Sequence, residues 1–247
     1  MFPLRDENPS VLTALGTFLI VGLNVAAWLL VQGLGAEPTL TRSVCEYGLI
    51  PGEILHRLPA GTRVPLGDHL ACILGQGPTW LTPLSSMFLH GGWLHLIGNL
   101  WFLWVFGNNV EDAMGHARFL AFYVVCGLAA AAAQTLANPA SDLPMVGASG
   151  AIGGVMGAYA VLYPKNRIDT LIIFGFYVRT LAVPAYVMLG YWFVLQVLGG
   201  LPSLGGEGAG VAFWAHVGGF VAGALLVRVF RDPELLARQR ARATVFG

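Results

Sequence analysis

The hydrophobic positions of this chain fall into long, nearly unbroken runs. They cover residues 11–34, 93–110, 119–137, 149–163, 180–199 and 211–230. A helix needs about 20 apolar residues to cross a hydrocarbon core of about 30 Å, and most of these runs approach that length. The run 149–163 is shorter. The fifth lies inside a longer apolar segment, 171–199, after a brief polar lead-in. Pro184 falls within that fifth run and predicts a kink there, because neighbouring helices can satisfy the freed carbonyl. The pattern predicts an all-α polytopic membrane protein: one domain over 1–247, six spans, and a mixed outer loop over 35–92. The first run is too long for a cleaved signal peptide and lacks a small-residue cleavage site, so it is expected to persist as a helix. No repeat of solenoid period is visible.

The charged residues orient these spans. Six spans put both termini on one side, which then holds Arg5, Arg118, Lys165, Arg167, Arg179, Arg228, Arg231, Arg238, Arg240 and Arg242. The other side holds Arg42, Arg57 and Arg63. The excess predicts cytoplasmic termini, with the basic tail as a topology anchor rather than a ligand site. Charged residues make up only 11% of the chain, against about 25% in ordinary soluble domains. The net charge of zero gives no sign of a nucleic-acid partner. An unfused six-span core without a transit peptide predicts a multi-pass protein of a bacterial cytoplasmic membrane. Cys45 and Cys72 share the outer loop, where they either pair in an oxidising compartment or stand as two thiols. Cys126 falls in the third span and is expected in the core.

Polar side chains inside a membrane are expensive and point to function by default. Four stand out: His95, Asn99, Ser149 and His216. At about 1.5 Å per residue, all four fall roughly 18–24 Å above the cytosolic edge of their spans, hence in one layer below the outer surface. His95 and Asn99 are four apart and share a helix face. Ser149, Gly153 and Gly157 recur at the same spacing. Ala215, Gly219 and Gly223 form a small-residue stripe beside His216. Gly150 and Gly154 line the neighbouring stripe of the fourth span. Such stripes let helix backbones approach, so the fourth and sixth spans are expected to pack and bring Ser149 to His216.

That meeting has chemical meaning. A serine hydroxyl becomes a competent nucleophile when a base removes its proton, and a histidine is the usual base. His95, Asn99 and the Ser149 backbone N–H could donate to an oxyanion. No acidic third member is evident, so a Ser149–His216 dyad is the simplest catalytic arrangement. Each residue alone has a plainer reading: Ser149 as helix packing, His216 as an interhelical hydrogen-bonder, His90 as a structural hydrogen-bonder at the helix entrance. His90 and His95 are five apart, off one helix face, and too few for zinc, so no metal is expected. No phosphate loop or ligand cluster suggests a cofactor. His56, His69 and His116 are read as loop residues without signal. Trp93, Trp101, Phe102 and Trp104 are read as lipid-facing or interfacial anchors. Asn108, Asn109, Glu111 and Asp112 mark the cytosolic end of the second span.

Three stretches together carry a resemblance. His90-Gly-Gly-Trp-Leu-His95-Leu-Ile-Gly-Asn99, Val146-Gly147-Ala-Ser149-Gly150 and Ala215-His216-Val-Gly-Gly219 are similar to the HxxxxHxxxN, GxSG and AHxxG signatures of rhomboid intramembrane serine proteases. The stretch Gly107–Glu111, with Gly115 and Arg118–Leu120, also resembles the segment closing the second span of bacterial members. The resemblance runs from about Pro51 to Phe230. It implies a six-helix rhomboid core, with Ser149 as nucleophile and His216 as base. His95 and Asn99 would be oxyanion donors, His90, Gly147, Gly150 and Gly219 structural neighbours, and the fifth span a side gate. It implies partners that are membrane lipid and transmembrane protein substrates, usually single-pass, cut in or near their helix. Two departures stand out. The outer loop has Trp80-Leu-Thr-Pro83 where some members carry a Trp-Arg pair. Gly153 stands where some members place an aromatic that stacks on the base, so something else must position His216. Two rival readings have distinct signatures. A non-proteolytic rhomboid relative would usually lack the serine or histidine. A small transporter would usually show internal repeats and broken helices near the midplane.

Overall fold

The computed structural model describes residues 1–66, 70–75, 77–205 and 210–246. His69 lies outside them. In chain order, strand β1 (Phe2–Asp6) precedes helix α1 (Leu15–Leu30). The segment between α1 and α5 holds α2 (Thr39–Tyr47), α3 (Pro51–Ile54), a ribbon of β2 (Arg63–Pro65) and β3 (Ala71–Ile73), and α4 (Thr82–Ser85). Then follow α5 (Trp93–Met114), α6 (His116–Ala137) and α7 (Ser149–Leu162). A hairpin of β4 (Arg167–Phe174) and β5 (Tyr177–Pro184) leads into α8 (Ala185–Gly200), α9 (Phe213–Phe230) and α10 (Pro233–Phe246).

Among the described residues, His116–Ala137, Ala185–Leu204 and Phe213–Phe230 are helical stretches long and apolar enough to cross a membrane. Helices α1 and α7 are apolar but have 16 and 14 residues. Leu30, Leu94, Leu136, Leu225 and Val229 are largely exposed on the outside of the bundle. An apolar surface of this kind suits lipid and would be a liability in water.

The fold centres on α7, whose residues Gly150–Tyr159 are all buried. Its glycines do what their spacing predicts. A Cβ on Gly157 would run into the carbonyl of Phe220, and Cβ atoms on Gly219 and Gly223 into the carbonyls of Gly150 and Gly154. Helices α7 and α9 therefore pack backbone against backbone.

Polar clamps gather one end of the molecule. The buried carboxylate of Glu111 on α5 accepts from the N–H groups of Gly16 and Thr17 at 2.6 and 2.8 Å and from the Thr17 hydroxyl at 2.7 Å. Asp112 accepts from Val11 and Leu12 N–H at 2.5 and 2.8 Å. The Glu111 bonds satisfy free donors at the start of α1 and the Asp112 bonds hold the chain just before it; each bond to a charged acceptor contributes about 1.5–3 kcal/mol. Asp6 accepts from Asn109 Nδ2 at 2.6 Å and from the Tyr159 hydroxyl at 2.8 Å. The Tyr163 hydroxyl bonds Gln239 of α10, and Gln239 Nε2 reaches Asn109 Oδ1 at 2.9 Å. Strand β1, the C-terminal ends of α5 and α7, and α10 thus meet at this end. At the other end Gln32 exchanges two hydrogen bonds with the backbone of His90, at 2.7 and 2.8 Å.

Four expectations are corrected. The protein is not all-α: β1, β4 and β5 form an antiparallel sheet in the order β1-β4-β5. The central strand β4 buries Ile168 and Thr170 completely. Accordingly the fifth run is not helical from residue 180. Pro184 closes β5 and α8 begins after it, so it kinks nothing. Its missing N–H costs little at the end of an edge strand, and its ring disfavours helix in the residue before it. Of the two readings left open for Cys45 and Cys72, pairing is the one observed: they form a disulfide with Cα atoms 5.2 Å apart, beside the small core of Ile50, Val64 and Leu74. His116 is not a loop residue but opens α6, its Nδ1 2.5 Å from Glu111 Oε1. Trp101, read as an anchor, also donates to the Pro3 carbonyl at 2.7 Å and so holds β1.

Candidate active site

Ser149 is the first residue of α7. The chain enters it through Gly147, whose φ of +130° disfavours any side chain and whose N–H donates to the Ser86 carbonyl at 2.9 Å. A Cβ at Gly147 would lie 2.8 Å from His95 Nε2 and 3.4 Å from Ser149 Oγ. A glycine here is what lets the imidazole of α5 stand next to the serine of α7. Being first in its helix, Ser149 also has a backbone N–H with no intrahelical acceptor.

His216 sits in the first turn of α9. Its Nε2 is 2.7 Å from Ser149 Oγ, within hydrogen-bond reach across the α7–α9 seam. His95 and Asn99 lie one turn apart on α5. The Gly91 N–H donates to His95 Nδ1 at 3.2 Å, so Nδ1 is an acceptor and Nε2 carries the proton. Asn99 Nδ2 donates one hydrogen to the His95 carbonyl at 2.9 Å, leaving its second free. Asn99 is nearly buried.

All four line one cavity of about 610 Å³. Its walls are otherwise mostly apolar, including Leu94, Phe102, Ile152, Met156 and Trp192. A hydroxyl, an imidazole able to take its proton and two N–H donors therefore converge in a space large enough for a bent peptide segment. Polar groups in such surroundings interact more strongly than in water.

The remaining predicted residues surround this group without entering it. His90 is completely buried, yet both its ring nitrogens lack hydrogen-bond partners. Its bonds run through its backbone, and its ring meets that of His95 edge-on at 5.2 Å. His90 thus hydrogen-bonds at the entrance of α5 through its main chain. Gly150 and Gly219 act in helix approach, as described.

One residue was missed. Gln196 of α8 reaches over His216, its Oε1 2.8 Å from Nδ1. A lone amide in the apolar run 185–200 was the available signal. Trp192, one turn earlier, tilts over the same imidazole with ring centroids 5.9 Å apart.

The Rhomboid domain family matches residues 77–233. The chain is 32% identical over 165 residues to Rhomboid protease GluP of Bacillus subtilis (strain 168), covering 67% of this chain and 29% of that protein. It is 30% identical over 175 residues to Rhomboid-like protein 11, chloroplastic, of Arabidopsis thaliana, covering 66% of this chain and 59% of that one. It is 31% identical over 153 residues to Rhomboid protein 1, mitochondrial, of Saccharomyces cerevisiae (strain ATCC 204508 / S288c), covering 58% and 39%. The matched region thus spans less than two thirds of each relative's own length.

Proposed function

This chain belongs to the rhomboid family, and from that premise we propose that it is an intramembrane serine endopeptidase cutting transmembrane proteins within or near their membrane helices. The observation that carries the reading is the 2.7 Å approach of His216 Nε2 to Ser149 Oγ in a cavity shared with His95 and Asn99. In the proposed reaction Ser149 Oγ attacks a substrate carbonyl while its proton passes to His216 Nε2. The oxyanion accepts hydrogen bonds from His95 Nε2–H, the free Asn99 Nδ2–H and the Ser149 backbone N–H. The imidazolium returns the proton to the leaving amine. Water, deprotonated by the same base, then releases the acyl group and restores the serine. No cofactor enters.

A peptide carbonyl in an intact helix is already hydrogen-bonded, so the substrate helix must unwind locally. Small or helix-breaking residues at the cut site should ease this. We place substrate entry beside α8, the segment that closes over His216, with single-pass proteins as the substrate class and lipid as the surrounding medium.

We further propose one domain over 1–247 with six spans, α1 and α5–α9, and cytoplasmic termini. Pairing of β1 with β4 supports this, since paired strands lie on one side of a membrane and an even number of crossings must separate them. Helices α1, α5, α6 and α7 supply four. The Cys45–Cys72 disulfide supports an oxidising compartment for the outer segment. A bacterial cytoplasmic membrane fits this topology.

The test is labelling of the purified protein with a fluorophosphonate probe. Wild type should label, and Ser149→Ala and His216→Ala should abolish labelling. A folded wild type that does not label would end the hydrolase reading in favour of a client-binding relative.

A further inference from the structure

The imidazole of His216 needs more than proximity to act as a base. Its lone pair must sit on Nε2, facing Ser149, and its ring must stay in place while the proton moves. An aromatic on α7 cannot provide this, because the residue four past the serine is Gly153, where even a Cβ would come within 3.0 Å of the His216 carbonyl. We propose that Gln196 is the positioning residue that fixes the tautomer and orientation of His216, so that α8 supplies the missing third member of the site. This rests on the hydrolase reading given above.

The amide's own bonding decides its direction. Gln196 Nε2 donates to the Trp192 carbonyl at 3.2 Å, one turn back on α8. Turning the amide over would set its oxygen against that carbonyl, two acceptors face to face. Oε1 therefore points at His216 Nδ1, 2.8 Å away, and an amide oxygen can only accept. Nδ1 must then carry the hydrogen, which leaves the Nε2 lone pair directed at the Ser149 hydroxyl, 2.7 Å away. The chain of bonds runs Gln196–His216–Ser149 with each donor and acceptor assigned.

A buried carboxylate at this place would do the same and also stabilise the imidazolium, at a heavy desolvation cost inside a membrane. The neutral amide sets the tautomer without that cost. Trp192 and Phe213 flank the ring, with centroids 5.9 and 6.4 Å away, and restrict its tilt. The same turn of α8 thus holds the base by its edge and by its face.

The test uses the full chain in detergent with the fluorophosphonate probe, measuring kinact and KI across pH. Gln196→Leu keeps bulk and removes the acceptor. It should lower kinact about 10- to 100-fold, less than the 10²–10⁴ a general base contributes in full, with KI and Tm little changed. Gln196→Glu restores an acceptor on Nδ1 and should recover labelling above the Leu variant. It should also carry the acid limb of the pH profile to higher pH, because a carboxylate favours the imidazolium. His95 is the other titrating side chain lining the cavity and is common to all variants, so it does not produce that difference. Wild-type kinact in the Leu variant overturns the assignment. So does a Glu variant with no recovery and an unmoved pH profile, which would mean Gln196 only packs. A wild type that fails to label would sink the hydrolase reading itself and this assignment with it.

Discussion

A single carboxyl shows how tightly the polar end of this molecule is drawn. Asp6 sits where β1 meets α5 and α7. Burial pushes its carboxyl up to about 6 from 3.8, against the lowering pull of hydrogen bonds from Tyr159, its own backbone, Asn8 and Asn109. Between about pH 4 and 6 the folded chain therefore holds a proton that the unfolded chain has released. Stability must fall as pH rises through that window and level off above it. Asp6→Asn removes the titration. Tyr159 and Asn109 both donate to the same oxygen, Oδ2, so one amide oxygen can still serve both. The stability difference between Asn variant and wild type, followed through Tm, should shift in the variant's favour from pH 4 to pH 7, by on the order of 2–3 kcal/mol. A difference that stays constant with pH would mean that Asp6 is not the group responsible. Residues that the membrane makes expensive were legible in the chain for the same physical reason. Ser149, His216, His95 and Asn99 stand out because a polar group in hydrocarbon needs a purpose. Gln196 obeys that rule equally. It is harder to read than Asn99, because Asn99 stands four residues from His95 on one helix face, whereas Gln196 has no polar neighbour at helical spacing in its own run.

At the scale of elements, the seam between α7 and α9 sets the distance from Ser149 to His216. Gly223→Ala would push a methyl group into the backbone of Gly154. Overpacking of this kind costs about 1–3 kcal/mol, and because the two backbones already touch the seam must open. A lower Tm and a larger fall in probe labelling are expected. Gly190→Ala on α8 meets nothing within 4 Å and should be neutral or slightly stabilising. Equal effects of the two substitutions would show that the close approach is not what matters. The glycine stripes were readable because a spacing of four maps directly onto a helix face. The β4–β5 hairpin was not. Its strands are apolar and rich in branched residues, so hydropathy alone merges them with α8. The cue was Gly175, φ +59°, in a two-residue turn that pairs Phe174 with Tyr177. Strand β1 carried no local cue at all, because five residues take their conformation from a partner far along the chain.

At the scale of the whole molecule, the segment between α1 and α5 is a small structure of its own, held by a few apolar side chains and one disulfide. Cys45 and Cys72 enclose a separation of 27 residues, for which loop closure predicts about 3.5 kcal/mol. Cys72→Ser should make residues 55–75 the first site of limited proteolysis while the apolar helices stay protected. Unchanged cleavage kinetics would show that the core of Ile50, Val64 and Leu74 suffices without the bond. The sequence offered both readings of these cysteines because it contains no distances.

The three-stranded sheet also has a meaning in time. Arg5 and Asp169, joined across β1 and β4, are 164 residues apart. At common rates of synthesis β1 waits on the order of 10–30 s on the ribosome before its partner strand exists. Under the proposed topology, the sheet can close only if every intervening segment has been threaded in the right direction, so its closure reports late on the assembly of the whole chain.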